Sequence, residues 1–389
     1  MRKGWEYKKL GEVGTFLRGK NILKSDFVEK GLPCIHYGQI HTKFGISTDT
    51  HLTETSQEVY NKAIIASKND VLIAITSEDL EGSCKATAWL GDYDVAVSAH
   101  AAVFKHNLNP KYIVYYLKSQ SFYIEKSKYA RGFKVMEIKP TDIAKIPIPI
   151  PPKSTQFAIV SELDKINELI RLKKEQLKDF DNLAQSILYE MFGDPVENEK
   201  GWEVKKLNDI SQEIGDGLHG TPEYSDVDTG CFFINGNNLE NGIIVIKDNT
   251  KTVSEKTKAK HYIEMDDFTI LVSINGTLGK VAFYRGENVI LGKSACYIKL
   301  TSYNDKKYIY ELLKSEYFKR YAETECTGTT IRNVSLKSMR NFPIPLPPLP
   351  LQHLFAHRIE QIEHQKAEVQ KAITDLETLL ASRMQYWFE

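Results

Sequence analysis

Two loops carry side chains suited to contacting nucleic acid. The first, Lys126-Ser127-Lys128-Tyr129-Ala130-Arg131-Gly132-Phe133-Lys134, groups Lys128, Arg131 and Lys134 with no acid inside the run and interleaves Tyr129 and Phe133. Ammonium and guanidinium groups bind phosphate, and Arg can also read the guanine edge. The second, Thr327-Gly328-Thr329-Thr330-Ile331-Arg332-Asn333, sets the hydroxyls of Thr329 and Thr330 beside Arg332 and Asn333. Those last two types pair with guanine and adenine respectively. Lys247, Lys251, Lys256, Lys258 and Lys260 form a further basic stretch. A single lysine is ordinary solvated surface. The two loops stand out because Gly132 and Gly328 occupy matching places in the two halves of the chain.

Other motifs promise chemistry and fail on inspection. Gly14-Thr15-Phe16-Leu17-Arg18-Gly19-Lys20 has the spacing of a phosphate loop, but Asn21 stands where a magnesium-binding Ser or Thr is needed. Gly215-Asp216-Gly217-Leu218-His219-Gly220 matches a dinucleotide fingerprint, yet Thr221-Pro222 follows where a helix should run. His353 and His357 lie four apart without the glutamate of a zinc protease. Glu137-Ile138-Lys139 is the short acid–lysine pattern of many nucleases, and such a tripeptide is common by chance. Recognition, rather than catalysis, is the expected role.

The elements that position these loops are written twice. Gly4-Trp5-Glu6-Tyr7-Lys8-Lys9-Leu10 returns as Gly201-Trp202-Glu203-Val204-Lys205-Lys206-Leu207, identical at six of seven places. Ile146-Pro147-Ile148-Pro149-Ile150-Pro151-Pro152 returns as Phe342-Pro343-Ile344-Pro345-Leu346-Pro347-Pro348, identical at five of seven. A period this long means a duplicated domain. The run Val71–Ile75 is set against Phe268–Val272, and Leu117-Lys118-Ser119 against Leu313-Lys314-Ser315. Strand-forming and helix-forming runs alternate in each half, which predicts an α+β domain. Between these anchors the halves diverge.

After each proline run a long stretch free of Gly and Pro predicts a helix. In the first, Leu163, Ile166, Ile170, Lys173, Leu177, Phe180, Ala184, Ile187 and Met191 step by 3 and 4, and eight of the nine are apolar. In the second, Ile359, Ile362, Lys366, Val369, Ile373, Leu376, Leu380, Arg383 and Trp387 do the same, with seven of nine apolar. This is a coiled-coil seam, and each helix should reach about 50–57 Å. The two helices are expected to pair with each other, antiparallel, rather than each lie only on its own globular half. Lys173 and Lys366 are the flaw in the seam.

Composition bounds the rest. The chain of 389 residues carries 51 basic and 51 acidic side chains, so its formal net charge is zero. That argues against a surface coated in positive charge, although local patches matter more than the total. Cys34, Cys84, Cys231, Cys296 and Cys326 form no CxxC pair and are odd in number, as expected of buried thiols in a reducing compartment. No run is long and apolar enough for a membrane span and the start is unlike a signal peptide, so a cytoplasmic protein is expected.

With these features together, the chain resembles the specificity subunit of type I restriction–modification enzymes over essentially its whole length. The resemblance rests on the Gly-Trp-Glu starts at Gly4 and Gly201 and on the proline runs with Gln156 and Gln352 behind them. It rests also on Met191-Phe192-Gly193-Asp194, on Asp216–Pro222 and on Gly328-Thr329-Thr330. The first half departs from the pattern: Arg131-Gly132-Phe133 stands where the family often has Gly followed by Ser or Thr, and no His219-like segment is evident. The resemblance implies two tandem, pseudo-two-fold-related target-recognition domains separated by two long helices in an antiparallel coiled coil. The expected division is residues 1–152, first recognition domain; 153–193, first helix; 194–348, second recognition domain; and 349–389, second helix.

Each recognition domain would read one half of an asymmetric bipartite target in double-stranded DNA. The DNA contacts would come from Lys128, Arg131 and Lys134 in the first half and from His219, Thr329, Thr330, Arg332 and Asn333 in the second. Gln156, Leu163, Ile166, Ile170 and Leu177, with Gln352, Ile359, Ile362, Ile373 and Leu376, would form the helix seam or dock partners. Those partners would be two methyltransferase (modification) subunits and the motor–nuclease (restriction) subunits. S-adenosylmethionine, ATP and Mg would belong to them, with no cofactor or metal in this chain and no catalytic residue. The alternatives are the specificity subunit of a related modification-only system, a stand-alone nuclease using Glu137-Ile138-Lys139, and a structural spacer that binds no DNA.

Overall fold

The computed structural model describes residues 4–132, 135–326 and 332–389. Two compact units make up the chain. One comprises Met1–Lys174 with Lys371–Glu389, the other Glu175–Gln370. Two 40-residue helices, Lys153–Phe192 and Leu349–Phe388, each contribute to both units. Where the sequence divides the chain at the ends of the helices, the contacts divide it near their middles, because each half of each helix is built into a globular core.

The first unit has a sheet in the order Gly14–Arg18, Ala101–His106, Val71–Ala74, Ala86–Trp89 and Ser47–Thr48. The second has the order Ser211–Asp216, Ala295–Leu300, Thr269–Ser273 and Val281–Phe283. Beside it, Leu32–Ile35 runs parallel to Val95–Val97 in the first unit, and Phe232–Ile234 parallel to Val289–Leu291 in the second. The central strands Val71–Ala74 and Thr269–Ser273 are buried throughout, so both of their faces are covered.

The ladders correct one expected correspondence. Ala74 pairs with Ala101, and Ser273 pairs with Ala295. The Ile75 N–H then donates to the His100 carbonyl at 2.8 Å, and the Ile274 N–H to the Ser294 carbonyl at 3.1 Å. Ala74 is therefore the counterpart of Ser273, two places away from the alignment the apolar runs suggested. A strand buried on both faces has no polar alternation to reveal such a slip.

The repeated ends of the globular parts meet. Glu6–Lys9 pairs antiparallel with Pro147–Ile150, and Glu203–Lys206 with Pro343–Leu346. Proline is tolerated here because each ladder has only two strands. The proline carbonyls are taken up by tyrosines: Tyr112 donates to Pro149 O at 2.7 Å and Tyr308 to Pro345 O at 2.6 Å. Tyr116 and Tyr317 do the same for Pro147 and Pro343. Tyr112 and Tyr308 thus link the repeated proline runs to the repeated helices Pro110–Leu117 and Lys306–Lys314, while Tyr317 comes from the next helix, Glu316–Glu325.

Within the first unit, Glu162 binds Arg383 and Trp387, while Lys174 reaches Glu377 at 2.8 Å, so the two helix segments run antiparallel. Ile159, Leu163 and Phe388 enter the same core as Tyr112, Ile113 and Tyr116. Within the second unit, Phe192 packs on Phe355, and Leu188, Ile359 and Ile362 share a core with Tyr308 and Phe342. The helices thus pair with each other and with the globular part of each unit at once. Of the seam residues, Leu163, Ile166, Ile170, Ile359, Ile362 and Ile373 are buried, and Leu177 and Leu376 half-buried.

Gln156 and Gln352, expected in the helix seam or in partner docking, lie inside their own units. Both are buried, and each amide accepts one hydrogen bond and donates one inside its unit. Gln156 accepts from Asn109 N–H at 3.0 Å and donates to Pro151 O at 2.9 Å. Gln352 accepts from Asp305 N–H at 3.0 Å and donates to Pro347 O at 2.8 Å. Each ties its long helix to the N-cap of the preceding globular helix.

Lys366, the flaw in the second seam, is matched by charge. It reaches Asp181 at 3.0 Å and Glu363 at 3.1 Å, and Lys314 also reaches Asp181, at 3.1 Å. Burial alone would raise the Asp181 pKa, but the two lysines outweigh it and hold the carboxyl below its usual range.

Candidate nucleic-acid interface

In the second unit, four segments distant in sequence converge on one cleft of roughly 410 Å³. Asp216, His219, Asn275, Lys293, Asn333 and Ser335 supply its polar lining. Asn275 forms an antiparallel bridge with Asn333. The Gly276 N–H donates to Arg332 O at 3.0 Å, and the Val334 N–H to Ile274 O at 2.9 Å, so the Arg332–Val334 strap is fixed at the end of the central strand Thr269–Ser273. The Leu218 N–H donates to Leu291 O at 2.7 Å, and the Lys293 N–H to Leu218 O at 3.1 Å, which holds the His219 loop beside it. His219 Nε2 lies 2.8 Å from Asp216 Oδ2, with the His side chain 71% exposed. The cleft offers amides, a hydroxyl, an ammonium and an imidazole, groups that hydrogen-bond base edges and phosphates, beside the Asp216 carboxylate, which can accept from a base amino group.

The matching place in the first unit is built by the same main-chain bonds. The Ile138 N–H donates to Ile75 O at 3.0 Å, as Val334 does to Ile274. Glu137 therefore stands where Asn333 stands, and Thr76 where Asn275 does. Arg18 pairs with Ala102 and Asp216 with Cys296, so Arg18 matches Asp216. The polar groups at these matched positions differ completely. Arg18 and Glu137 form an ion pair at 2.9 Å. Nearby, Tyr37, His41 and Thr76 line a second cleft, where His41 Nε2 lies 2.9 Å from Thr76 O.

The two misleading glycine motifs are one structural feature. Gly14–Arg18 and Ser211–Asp216 are matching edge strands. Gly19 and Gly217 follow them, where the chain crosses a neighbouring strand end. A Cβ on Gly19 would lie 2.1 Å from Ser98 O, and one on Gly217 2.0 Å from Leu291 O. Glycine is required there for close approach of main chains. The first half thus has a counterpart of the His219 segment after all, with Lys20-Asn21 in place of Leu218-His219.

The expected contact residues fall unevenly. His219 and Asn333 share the cleft, and Arg332 lies next to it with its guanidinium 3.1 Å from Glu323. Lys128 and Arg131 are exposed at the end of the helix Gln120–Ser127 and beyond it. Their loop is acid-free in sequence but not in space. Lys128 reaches Glu125 at 2.6 Å, and Arg131 lies 4.0 Å from Asp142. Lys134, Thr329 and Thr330 lie outside the described residues. Asn275, Lys293 and Ser335 were missed, since nothing in their local sequence marks them. Asn275 could have been found only by knowing the strand register.

Exposed pairs and buried side chains account for the remaining motifs. His357 is exposed and 3.8 Å from Glu360. Ile138 is fully buried between Glu137 and Lys139. Lys247 is held by Glu240 at 2.6 Å, and Lys251 sits 4.7 Å from the centre of the Tyr224 ring. Cys34, Cys84, Cys231 and Cys296 are buried and Cys326 half-buried, all as free thiols. Among the described residues no helix is long and apolar enough to cross a membrane.

The chain is similar along nearly its whole length to known proteins. It is 22% identical to the type I restriction enzyme MjaVIII specificity subunit of Methanocaldococcus jannaschii, covering 97% of this chain and 92% of the relative. It is 23% identical to the EcoKI specificity subunit of Escherichia coli, covering 96% and 85%. Among solved structures it shares the fold of a chain described in work on complex assembly and conformational transition of the type I restriction–modification system. That likeness has a TM-score of 0.63, 18% identity, and coverage of 99% of this chain and 97% of the other. The specificity subunit from M. genitalium aligns with a TM-score of 0.51 at 14% identity, covering 99% and 96%. The family described as the type I restriction modification DNA specificity domain matches twice, over residues 2–179 and 199–378, and the chain belongs to that family as a type I specificity subunit.

Proposed function

We propose that this chain reads an asymmetric bipartite DNA target, one half-site per recognition domain, for a type I complex whose chemistry resides in other subunits. One observation carries the reading. The same main-chain scaffold recurs in both units, and the polar groups on its rim differ at three matched positions: Arg18 against Asp216, Thr76 against Asn275, Glu137 against Asn333. A shared scaffold with different rim chemistry is what two readers of different half-sites require. In the first domain Lys128, Arg131 and Lys134 make the contacts. In the second, His219, Thr329, Thr330, Arg332 and Asn333 do so, joined by Asn275 and Lys293.

The long helices set the unread spacer between half-sites and dock two methyltransferase subunits, with restriction subunits joining for cleavage. S-adenosylmethionine, ATP and Mg act in those partners. The test is adenine-methylation mapping in a host that expresses this chain with its methyltransferase, against a deletion of this chain. A bipartite asymmetric motif that vanishes in the deletion is the expected result. An unchanged methylome would sink the reading.

A further inference from the structure

Arg18 and Glu137 form their ion pair, at 2.9 Å, in the place that the first domain shares with the cleft of the second. Arg18 ends the edge strand Gly14–Arg18, and its pairing with Ala102 sets it where Asp216 stands. Glu137 pairs with Thr76, as Asn333 bridges Asn275. It also exchanges main-chain hydrogen bonds with Arg131, at 3.1 and 2.8 Å, so the basic loop starts directly beside it. The Arg18 and Glu137 side chains are 49% and 32% exposed, and neither has another side-chain partner among the described residues. Arg18 does not satisfy the carboxylate: Glu137 Oε1 is buried and accepts no well-directed hydrogen bond. A part-exposed pair of this kind adds little to stability, so a structural tie is a poor account of it.

We propose that Arg18 and Glu137 act as one couple that reads a single G·C base pair in the half-site of the first domain. The major-groove edge of that base pair presents the guanine N7 and O6 acceptors and, beside them, the cytosine N4 amino donor. A guanidinium next to a carboxylate presents the complementary order. Arg18 donates to guanine N7 and O6, and Glu137 accepts from cytosine N4. The spacing fits: guanine O6 and cytosine N4 are hydrogen-bonded to each other at about 2.9 Å, and the Arg18 nitrogen and Glu137 oxygen are 2.9 Å apart. A T·A pair also sets an acceptor beside a donor. It offers Arg18 one acceptor instead of two, however, and turns adenine N7 toward the carboxylate. The couple rests on the bipartite reading proposed above and names the base pair that the first domain selects, while the basic loop contacts phosphate. In the second domain Asp216, an acceptor, stands where Arg18 donates, so the matched position of the other half-site is read differently. The couple carries no net charge, so it adds choice of sequence without adding to counterion release.

The experiment uses the full chain with its methyltransferase subunits and the target found by methylation mapping. It measures binding competition by duplexes in which each base pair of that target is changed singly. Arg18→Gln and Glu137→Gln should each relax the preference for G·C at the same one base pair, about tenfold or more, and leave every other position unchanged. The double variant should lose no more than the stronger single one, because the two side chains act as a unit, and it should keep the parental salt dependence. Arg18→Glu combined with Glu137→Arg should reverse the preference to C·G. Unchanged thermal unfolding of the variants shows that the fold is intact. Losses spread evenly over all sequences would make the pair a structural tie and overturn the proposal, as would relaxation at a T·A pair or at two separate positions. Variants that all keep the parental preferences would overturn the couple and leave the bipartite reading standing. A wild-type complex with no preference among the duplexes would overturn both.

Discussion

Arg332 shows how little a reading side chain gives up before it meets DNA. Its guanidinium is 62% exposed and its only described partner, Glu323, is 60% exposed. An exposed pair of this kind contributes little and is exchanged readily for a better partner. Arg332→Ala should therefore leave folding intact and relax recognition at one position of one half-site, by about 1–3 kcal/mol where the contact is bidentate to guanine. Binding competition with single-base variants of the target measures it, and equal loss across both half-sites would remove Arg332 from the readers. His106 is the opposite case. Burial holds its imidazole well below the usual range, at about 4, and its Nδ1 accepts the Leu108 N–H at 3.2 Å. Unfolding returns the ring to an ordinary pKa of roughly 6.5. Between these values the unfolded chain binds the proton and the folded one does not. The resulting stability is fully present above pH 6.5 and is lost as pH falls toward 4, on the order of 3 kcal/mol in all. Denaturant unfolding of His106→Gln between pH 7 and 5 should show a flatter pH dependence than the parent; an identical slope would contradict a buried neutral ring.

The helices are the most legible elements, and the cleft is the least. Period-3.5 patterning between a proline run and a Gly or chain end is a local property, so the helices can be read from the sequence before any contact is known. Leu188, Phe192 and Phe355 stand outside the seam pattern because they face the globular core, a partner that periodicity does not name. The tyrosine–proline pairing lay behind a visible repeat, but its hydrogen bonds join residues 37 apart, as in Tyr112 to Pro149. The cleft is assembled from strands whose register is hidden in apolar runs, which is why Asn275 and Lys293 carry no local signal. Continuity of the helices through both units carries a prediction. Removing two residues within Leu163–Met191 turns the remainder of that helix by about 200° and should abolish modification of the parental target. Seven residues inserted both after Lys174 and after Gln370 keep each face in phase. They should lengthen the spacer by roughly 10 Å, or about three base pairs at 3.4 Å each, with both half-sites unchanged. Methylation mapping reads both outcomes, and an unaltered spacer in the double insertion would show that helix length does not set it.

For the whole molecule the decisive quantity is charge. Fifty-one basic side chains meet fifty-one acidic ones, and several exposed cations are also paired locally. Lys128 is matched by Glu125, Arg18 by Glu137, Lys247 by Glu240 and Arg332 by Glu323. Affinity for DNA at physiological salt is dominated by phosphates neutralised and counterions released. Cations already matched by neighbouring carboxylates, as Lys128 and Arg332 are, release few counterions unless those pairs open. The isolated chain should accordingly bind duplex DNA no more tightly than the non-specific range, roughly 10⁻⁴–10⁻⁶ M, with a shallow dependence of log K on log salt. Adding the methyltransferase subunits should both tighten binding and steepen that slope, as expected where partners add phosphate contacts to a chain that chooses the sequence. Fluorescence anisotropy across a salt series, with target and scrambled duplexes, separates the two contributions. Nanomolar binding of the target by the chain alone would mean that the local pairs open on contact and that recognition needs no partner. A division of labour is expected instead. On that division most of the charge that holds DNA would lie in the partner polypeptides, and a sequence would be selected with high affinity only when the complex has assembled.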